Sequence, residues 1–109
     1  MPSARRTDPE TSKLAAASIS AQRITETQLN VLLCVSWSIS MADATLVERF
    51  EDYWPYLASQ SGIRSRRADL TAAGLIKDTG ERIKLRGNRS HILWAITPKG
   101  RKLLKARGY

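Results

Sequence analysis

The hydrophobic period of this chain changes at Gly74, and this change constrains the fold more than any other feature. Before Gly74, apolar residues recur at the spacing of amphipathic helices. After it, residues 82–86 alternate between basic and apolar side chains, which is the period of a β-strand. The chain is therefore predicted to be mainly α-helical with a small antiparallel β hairpin, an α+β fold.

The helix that follows Ile24 has the most complete start signal. Thr25 and Gln28 are placed as a capping box, with Ile24 and Leu29 as the hydrophobic staple around it. The apolar residues that follow recur at helical spacing and predict a core helix. They are Leu29, Leu32, Leu33 and Trp37.

Two further helices are predicted before the change of period. Asp43 is expected to cap a helix that ends near Trp54, because the proline after it disfavours a helical residue. Ser59 or Ser61 caps the next helix, which covers 60–73 and stops at a glycine.

The hairpin is predicted to cover 76–96, with Gly87 and Asn88 turning the chain. Because its first strand alternates basic and apolar residues, we expect one apolar and one basic face. Thr97 then caps a C-terminal helix that carries Pro98 at its first position.

The N-terminal end is predicted to hold an arm and a further helix. Residues 1–7 are polar and are expected to be flexible. A helix starts at Asp8, Pro9 and Glu10 and runs to about Gln22. At 109 residues the chain has the length of one domain. Residues 8–109 are therefore predicted to form a single domain with N- and C-terminal flanking helices.

The basic charge is concentrated in the second half of the chain. The formal net charge is +8. Residues 1–60 carry five basic and seven acidic side chains, whereas residues 61–109 carry thirteen basic and three acidic ones. Such asymmetry favours a polyanionic partner, because neutralising phosphates releases condensed counterions. We therefore expect a nucleic-acid partner.

The helix over 60–73 carries the first group of candidate DNA contacts. Ile63, Leu70 and Ala73 project to one side at 100° per residue, so small and basic side chains project away. An arginine on a helix in the major groove can bind guanine O6 and N7 together. The alternatives are a solvated basic face and pairing with Asp69. The candidates are Gln60, Ser61, Arg64, Ser65 and Arg67.

The hairpin carries the second group of candidate DNA contacts. Arg86 and Arg89 flank its tip, where they would meet a phosphate or enter the minor groove. The alternative is that these charges keep an exposed hairpin soluble. The candidates are Arg82, Lys84, Arg86 and Arg89.

Membrane and disulfide-bonded classes find no support in the sequence. The longest apolar stretch, 31–37, is shorter than the roughly 20 residues that cross a bilayer, and no signal peptide is evident. Cys34 is the one cysteine and is expected to fill the core. A cytoplasmic protein without membrane contact is the expectation.

Catalysis is not predicted either. His91 is the one histidine and has no ligand or triad spacing around it, so we expect no metal, no cofactor and no enzymatic activity. Glu48, Glu51 and Asp52 are interpreted as a solvated acidic face rather than a magnesium site. The three tryptophans, Trp37, Trp54 and Trp94, are expected in or near the core.

Two segments resemble those of MarR-type and related bacterial winged helix-turn-helix regulators. Arg67–Ile76 is similar to the L-x-x-x-G-L-I exit from the recognition helix, and Ile96–Leu104 to the L-T-x-x-G-x-x-L segment that leaves the wing. With the preceding helices, the resemblance covers roughly residues 25–105. It implies a winged helix-turn-helix, with 60–73 as recognition helix and 76–96 as wing.

A narrower resemblance is to small phage or prophage DNA-binding proteins. The similar segments are Asp8–Ser12, Ala15–Ala17 and Ile63–Arg67. The flanking segments are shorter than the terminal helices of MarR-type regulators, so the ligand pocket that those helices shelter is not expected here.

The leading hypothesis is sequence-specific binding of double-stranded DNA by a repressor-like transcriptional regulator. A homodimer through the first predicted helix and the C-terminal helix would match two-fold symmetry to a half-site repeat. One alternative is a protein-interaction adaptor that uses the acidic face around Glu48. Another is a DNA-architectural accessory of recombination or replication.

Overall fold

The computed structural model describes residues 19–109. The predicted arm and the predicted first helix up to residue 18 lie outside the described residues. The prediction that this helix continues to about Gln22 is wrong, because residues 19–25 contain a turn at 21–23 and no helix. The amides of Arg23 and Ile24 both donate to the Ser20 carbonyl, at 3.0 and 2.9 Å. This turn brings Ile24 into the core ahead of the capping box.

Four helices and two strands are present within residues 19–109, and the predicted α+β class is confirmed. Strands β1 (Ile76–Lys84) and β2 (Ser90–Ile96) pair antiparallel. An isolated bridge joins Met41 to Trp94, so the segment before the helix Asp43–Tyr53 lies along the other edge of β2. The elements are α1 (Glu26–Ser36), α2 (Asp43–Tyr53), α3 (Gln60–Ala72), β1 (Ile76–Lys84), β2 (Ser90–Ile96) and α4 (Pro98–Ala106).

Helix α1 is the central element of the core, as predicted. Both bonds of the capping box are present: Gln28 N donates to Thr25 Oγ1 at 3.2 Å, and Thr25 N donates to Gln28 Oε1 at 3.1 Å. All seven residues from Leu29 to Val35 are buried. A helix buried on every side must be surrounded by neighbours, and α1 contacts α2, α3, α4 and β2.

Helix α2 begins one residue earlier than its predicted cap requires. Asp43 is the first helical residue, and the N-cap is Ala42, which supplies no side-chain hydrogen bond. The prediction that Asp43 caps this helix is therefore wrong, because its carboxylate binds Arg67 instead. The predicted end is confirmed, with Trp54 as C-cap.

Helix α3 begins and ends as predicted. Ser59 is the N-cap, and its Oγ accepts from Gly62 N at 3.0 Å. Ile63, Leu70 and Ala73 are buried, which confirms the projected inward face. Gly74 follows with φ +81°, a left-handed conformation that glycine adopts without a side-chain clash.

The hairpin has the predicted turn but contains a bulge. Asp78 lies opposite Trp94 and Arg82 lies opposite Ile92, so residues 79–81 face Leu93 alone. Gly80 has φ +87° there, and Thr79 Oγ1 donates to the Leu93 carbonyl at 2.9 Å. The Thr79 hydroxyl therefore supplies the Leu93 carbonyl with a hydrogen bond at the point where the bulge interrupts the backbone ladder.

The predicted division of the hairpin into one apolar and one basic face is wrong. Residues directly opposite each other share a face. Arg82 is opposite Ile92, and Ile83 is opposite His91, so each face mixes apolar and polar side chains. Ile83 remains 39% exposed. Because Ile76 and Ile83 are an odd number of residues apart, alternation alone places them on different faces.

Helix α4 is capped as predicted, and its first residues bind the carbonyls that follow α3. Thr97 Oγ1 accepts from Gly100 N at 3.0 Å and donates to the Gly74 carbonyl at 2.7 Å. Lys99 Nζ donates to the Ala73 carbonyl at 2.9 Å. Since the last carbonyls of a helix lack partners within it, these bonds from α4 complete the C-terminal end of α3.

The tryptophans differ in exposure. Trp54 and Trp94 pack against the core, as predicted. Trp37 is 45% exposed, so its prediction as a core residue is wrong. Its ring extends an aromatic cluster outward, at 4.8 Å from the ring of Tyr53 and 6.1 Å from that of Trp54.

Cys34 is fully buried, which confirms its predicted place in the core. Burial raises the pKa of its thiol to about 12. No helix within residues 19–109 has the length and apolar character needed to cross a membrane.

Candidate nucleic-acid interface

The outward face of α3 consists of small side chains around one arginine. Ser61, Arg64, Ser65 and Ala68 are exposed, as the projection predicts, and Gln60 is exposed at the first position of the helix. Within residues 19–109, Arg64 has no side-chain hydrogen bond and no carboxylate within 4.0 Å. Its guanidinium is therefore free to bind a ligand on this face.

Arg67 lies on the same helix but is bound inside the protein. Its Nε and Nη2 donate to the two carboxylate oxygens of Asp43, both at 2.9 Å. Nη1 donates to Thr71 Oγ1 at 3.3 Å. The guanidinium carbon lies 3.7 Å from the ring centroid of Trp94, a cation–π arrangement.

The exposed fractions are small, at 13% for the Arg67 side chain and 21% for Asp43. Arg67 thus connects α3 to the first turn of α2 and to β2. Three of its five N–H groups donate within the fold, so Arg67 holds α3 in position against α2 and β2.

Arg66 and Asp69 form a more exposed pair on α3, with Arg66 Nε 2.8 Å from Asp69 Oδ2. Their side chains are 38% and 37% exposed. Asp69 binds Arg66 and pairs with neither Arg64 nor Arg67. The acidic residue on this helix therefore leaves Arg64 uncompensated.

Arg82 is partly neutralised at the bulge. Its Nη1 and Nη2 lie 3.1 and 3.2 Å from the Asp78 carboxylate oxygens. The Gly80 amide, which donates to Asp78 at 2.8 Å, and Arg82 together hold the pKa of the Asp78 carboxyl below its ordinary value. Arg82 is thus the hairpin cation least available to a phosphate.

The other three hairpin candidates are exposed and uncompensated. Lys84, Arg86 and Arg89 lie at and around the tip, and in the described part of the chain none has a carboxylate within 4.0 Å. The hairpin is therefore most strongly basic at its tip.

An open groove of about 620 Å³ joins the hairpin tip to the start of α2. Ala44 and Thr45 of the first turn of α2 line one side, and Arg86 and Arg89 line the other. No side chain caps α2, so its first amides have no side-chain acceptor. His91 and Glu48 complete this lining.

The remaining acidic candidates are exposed on α2. Glu48, Glu51 and Asp52 are solvent-accessible, and the described residues contain no group of three or more His, Cys, Asp or Glu side chains that could hold a metal ion.

The Asp43–Arg67–Trp94 arrangement is what the sequence reasoning missed. Its members come from α2, α3 and β2, and Asp43 and Arg67 are 24 residues apart. No local pattern indicates such a pairing. The acid in the first turn of α2 has an equally good local explanation as a cap.

No model of a known protein family matches the chain, and a comparison with curated proteins returns no significant match.

Proposed function

We propose that the chain binds double-stranded DNA as a winged helix-turn-helix protein, with α3 in the major groove and the β1–β2 hairpin as the wing. The order of the elements supports this proposal, as does the isolated Met41–Trp94 bridge, which pairs the segment before α2 with the second edge of β2. In such domains a recognition helix reads base edges while flanking elements contact the backbone.

The observation that carries the proposal is the difference between two arginines on α3. Arg67 is fixed by Asp43 and Trp94, whereas Arg64 is exposed and uncompensated among Ser61, Ser65 and Ala68. Small neighbours let a helix approach a groove closely, and a free arginine can bind guanine through two hydrogen bonds. Arg64 is thus the proposed base-reading residue.

The hairpin and α2 supply the proposed phosphate contacts. Lys84, Arg86 and Arg89 would neutralise backbone charge near the wing tip, and the first turn of α2 would bind a phosphate through its amides. These contacts fix orientation and affinity rather than sequence.

The proposal extends to a homodimeric, repressor-like regulator. Two copies related by a two-fold axis would place two α3 helices about one helical turn of DNA apart. Helix α4 and the predicted N-terminal helix are the proposed dimer contacts, and α4 lies outside the DNA-facing surface described above.

The test is equilibrium binding to duplex DNA from upstream of the coding region, compared with scrambled duplex, over a salt series. We expect a preference of roughly a thousandfold or more and a steep decrease of affinity with salt. Arg64→Ala should weaken binding to the specific site by about 1–3 kcal/mol. Arg23→Ala, an exposed arginine outside α3 and the hairpin, is the matched control.

Each alternative has its own outcome. An adaptor would bind neither duplex, and Arg64→Ala would leave its binding of a protein partner unchanged. An architectural accessory would bind both duplexes with similar affinity and bend them.

A further inference from the structure

A second surface, formed by α1, the end of α2 and the C-terminal end of α4, carries an aromatic groove. Its volume is about 570 Å³. Leu33 forms part of its floor, and its walls include four aromatic rings: Trp37, Tyr53, Trp54 and Tyr109. None of its lining residues belongs to α3 or to the hairpin, so the aromatic groove is separate from the proposed DNA interface.

The rings form a continuous path from the core to solvent. Phe50, which is fully buried, lies 5.4 Å from Trp54. Trp54 in turn lies 6.1 Å from Trp37 and 5.8 Å from Tyr53. Trp37 is 45% exposed and Tyr53 is 63% exposed. Exposed tryptophan and tyrosine anchored on a rigid core are the side chains that dominate protein–protein binding energy.

Asn30 supplies an unused polar group to the same groove. It is only 6% exposed, and within residues 19–109 its Nδ2 has no hydrogen-bond partner. It lines the aromatic groove on the same face of α1 as Leu33 and Trp37. A buried amide donor without a partner costs free energy. Rotation of the Asn30 amide that turns Nδ2 toward a carbonyl oxygen placed in the groove would recover it.

The rim of the groove is basic. Arg107 is among the residues that line it, and a second depression that shares Leu33, Trp37 and Tyr109 is lined by Arg101 and Lys105. Glu26 is the one acidic residue in the two linings. A partner that covers this surface therefore gains from negative charge around an apolar anchor.

We propose that the aromatic groove binds an acidic segment of a partner protein. An apolar or aromatic anchor of that segment would pack among the four rings, and one of its backbone carbonyls would accept from Asn30 Nδ2. Asp and Glu side chains beside the anchor would pair with Arg101, Lys105 and Arg107. This interaction leaves α3 and the hairpin free, so the protein could hold DNA and the partner at once.

The experiment selects peptides from a random displayed library on the immobilised full-length chain. The enriched peptides are then synthesised with a fluorescent label, and their affinity is measured by anisotropy. We expect enrichment of Asp and Glu around an aromatic or leucine anchor. Trp37→Ala and the double variant Lys105→Glu with Arg107→Glu should each weaken binding by about tenfold or more, as loss of hot-spot residues does.

Asn30→Leu, which removes the donor and keeps an apolar side chain of similar size, should also weaken binding. Arg64→Ala is the control and should leave peptide affinity unchanged. Tyr53→Ala, at a more exposed ring, replaces Trp37→Ala if the latter does not fold by circular dichroism. Duplex binding measured on Trp37→Ala, Tyr53→Ala and Asn30→Leu should be retained, whereas Arg64→Ala should weaken it, which separates this proposal from the DNA-binding one.

Three outcomes would overturn the proposal. The first is the absence of enriched acidic peptides. The second is enrichment of peptides whose affinity is the same for Trp37→Ala and the charge-reversed variant. The third is a dimer that Trp37→Ala converts to a monomer in light scattering, because a second copy would then occupy the groove.

Discussion

Arg67 and Asp43 form a two-point ion pair in which Nε to Oδ1 and Nη2 to Oδ2 are both 2.9 Å. The planar guanidinium lies on Trp94, so the pair fixes α3 relative to both α2 and the hairpin. Bidentate pairs combine energy with fixed geometry. The face of α3 that carries Arg64 is therefore oriented within the fold before any partner binds.

Asp43→Ala should destabilise the protein by about 1–3 kcal/mol, because it leaves the mostly buried Arg67 charge without its partner. Urea unfolding monitored by tryptophan fluorescence measures the change. Arg64→Ala, an exposed arginine on α3 without an internal partner, should change stability by no more than about 0.5 kcal/mol. Equal stability of the two variants would contradict the role given to the pair.

Arg86→Ala and Arg89→Ala should each reduce the salt slope of DNA binding by about one, because each removes one phosphate contact. Preference between specific and scrambled duplex should change little. Arg82→Ala provides the comparison on the same hairpin. Since Asp78 already pairs with Arg82, Arg82→Ala should change the salt slope less than either tip variant does. A larger change for Arg82→Ala than for Arg86→Ala and Arg89→Ala would exclude the tip as the phosphate-binding region.

Gly100→Ala should destabilise the protein by about 1–3 kcal/mol, the usual cost of overpacking. A Cβ at this position would overlap the Leu75 carbonyl oxygen and Ile96 Cγ1. The contact is with backbone and core, so neither neighbour can move away freely. Thermal unfolding measures the change. Lys102→Ala, at an exposed position of the same helix, should be nearly neutral in that measurement.

The Cys34 thiol should not react with a disulfide reagent at pH 8 in the native protein, because burial raises its pKa from 9.0 to about 12. Guanidinium chloride should expose it and make it reactive. The same shift makes unfolding more favourable as pH rises from about 9 towards 12, since only the unfolded thiol ionises there. Cys34→Ala should remove this part of the pH dependence. Rapid labelling of the native protein would show that the core opens at α1.

Elements with local signals were predicted from the sequence with good boundaries. The capping box at Thr25, the cap at Ser59, the turn at Gly87 and the cap at Thr97 each depend on residues within a few positions of each other. The three caps bond to amides three residues further on, so neighbouring residue types are enough to predict them.

Features that depend on distant residues were not predicted. In the sequence, Asp43 has the residue type and position of a helix cap. Its carboxylate binds Arg67 instead, because the folded chain brings Arg67 next to it. The mixed faces of the hairpin follow from its pairing register, in which Arg82 meets Ile92. The exposure of Arg64, by contrast, followed from helical projection alone. This residue is the part of the candidate site that the sequence predicts best.

The bulge at residues 79–81 divides the hairpin into two halves that are held independently. The inner half is anchored where Ile76 meets Ile96 in the core, and the outer half where Lys84 meets Ser90 beside the turn. Three residues span the place of one between them. The chain can therefore lose one of these residues and keep a common bulge, or lose two and restore a regular ladder, without changing either anchored pair. Insertions and deletions in related proteins should occur mostly at this bulge, where they would change the direction of the hairpin tip and leave the core intact.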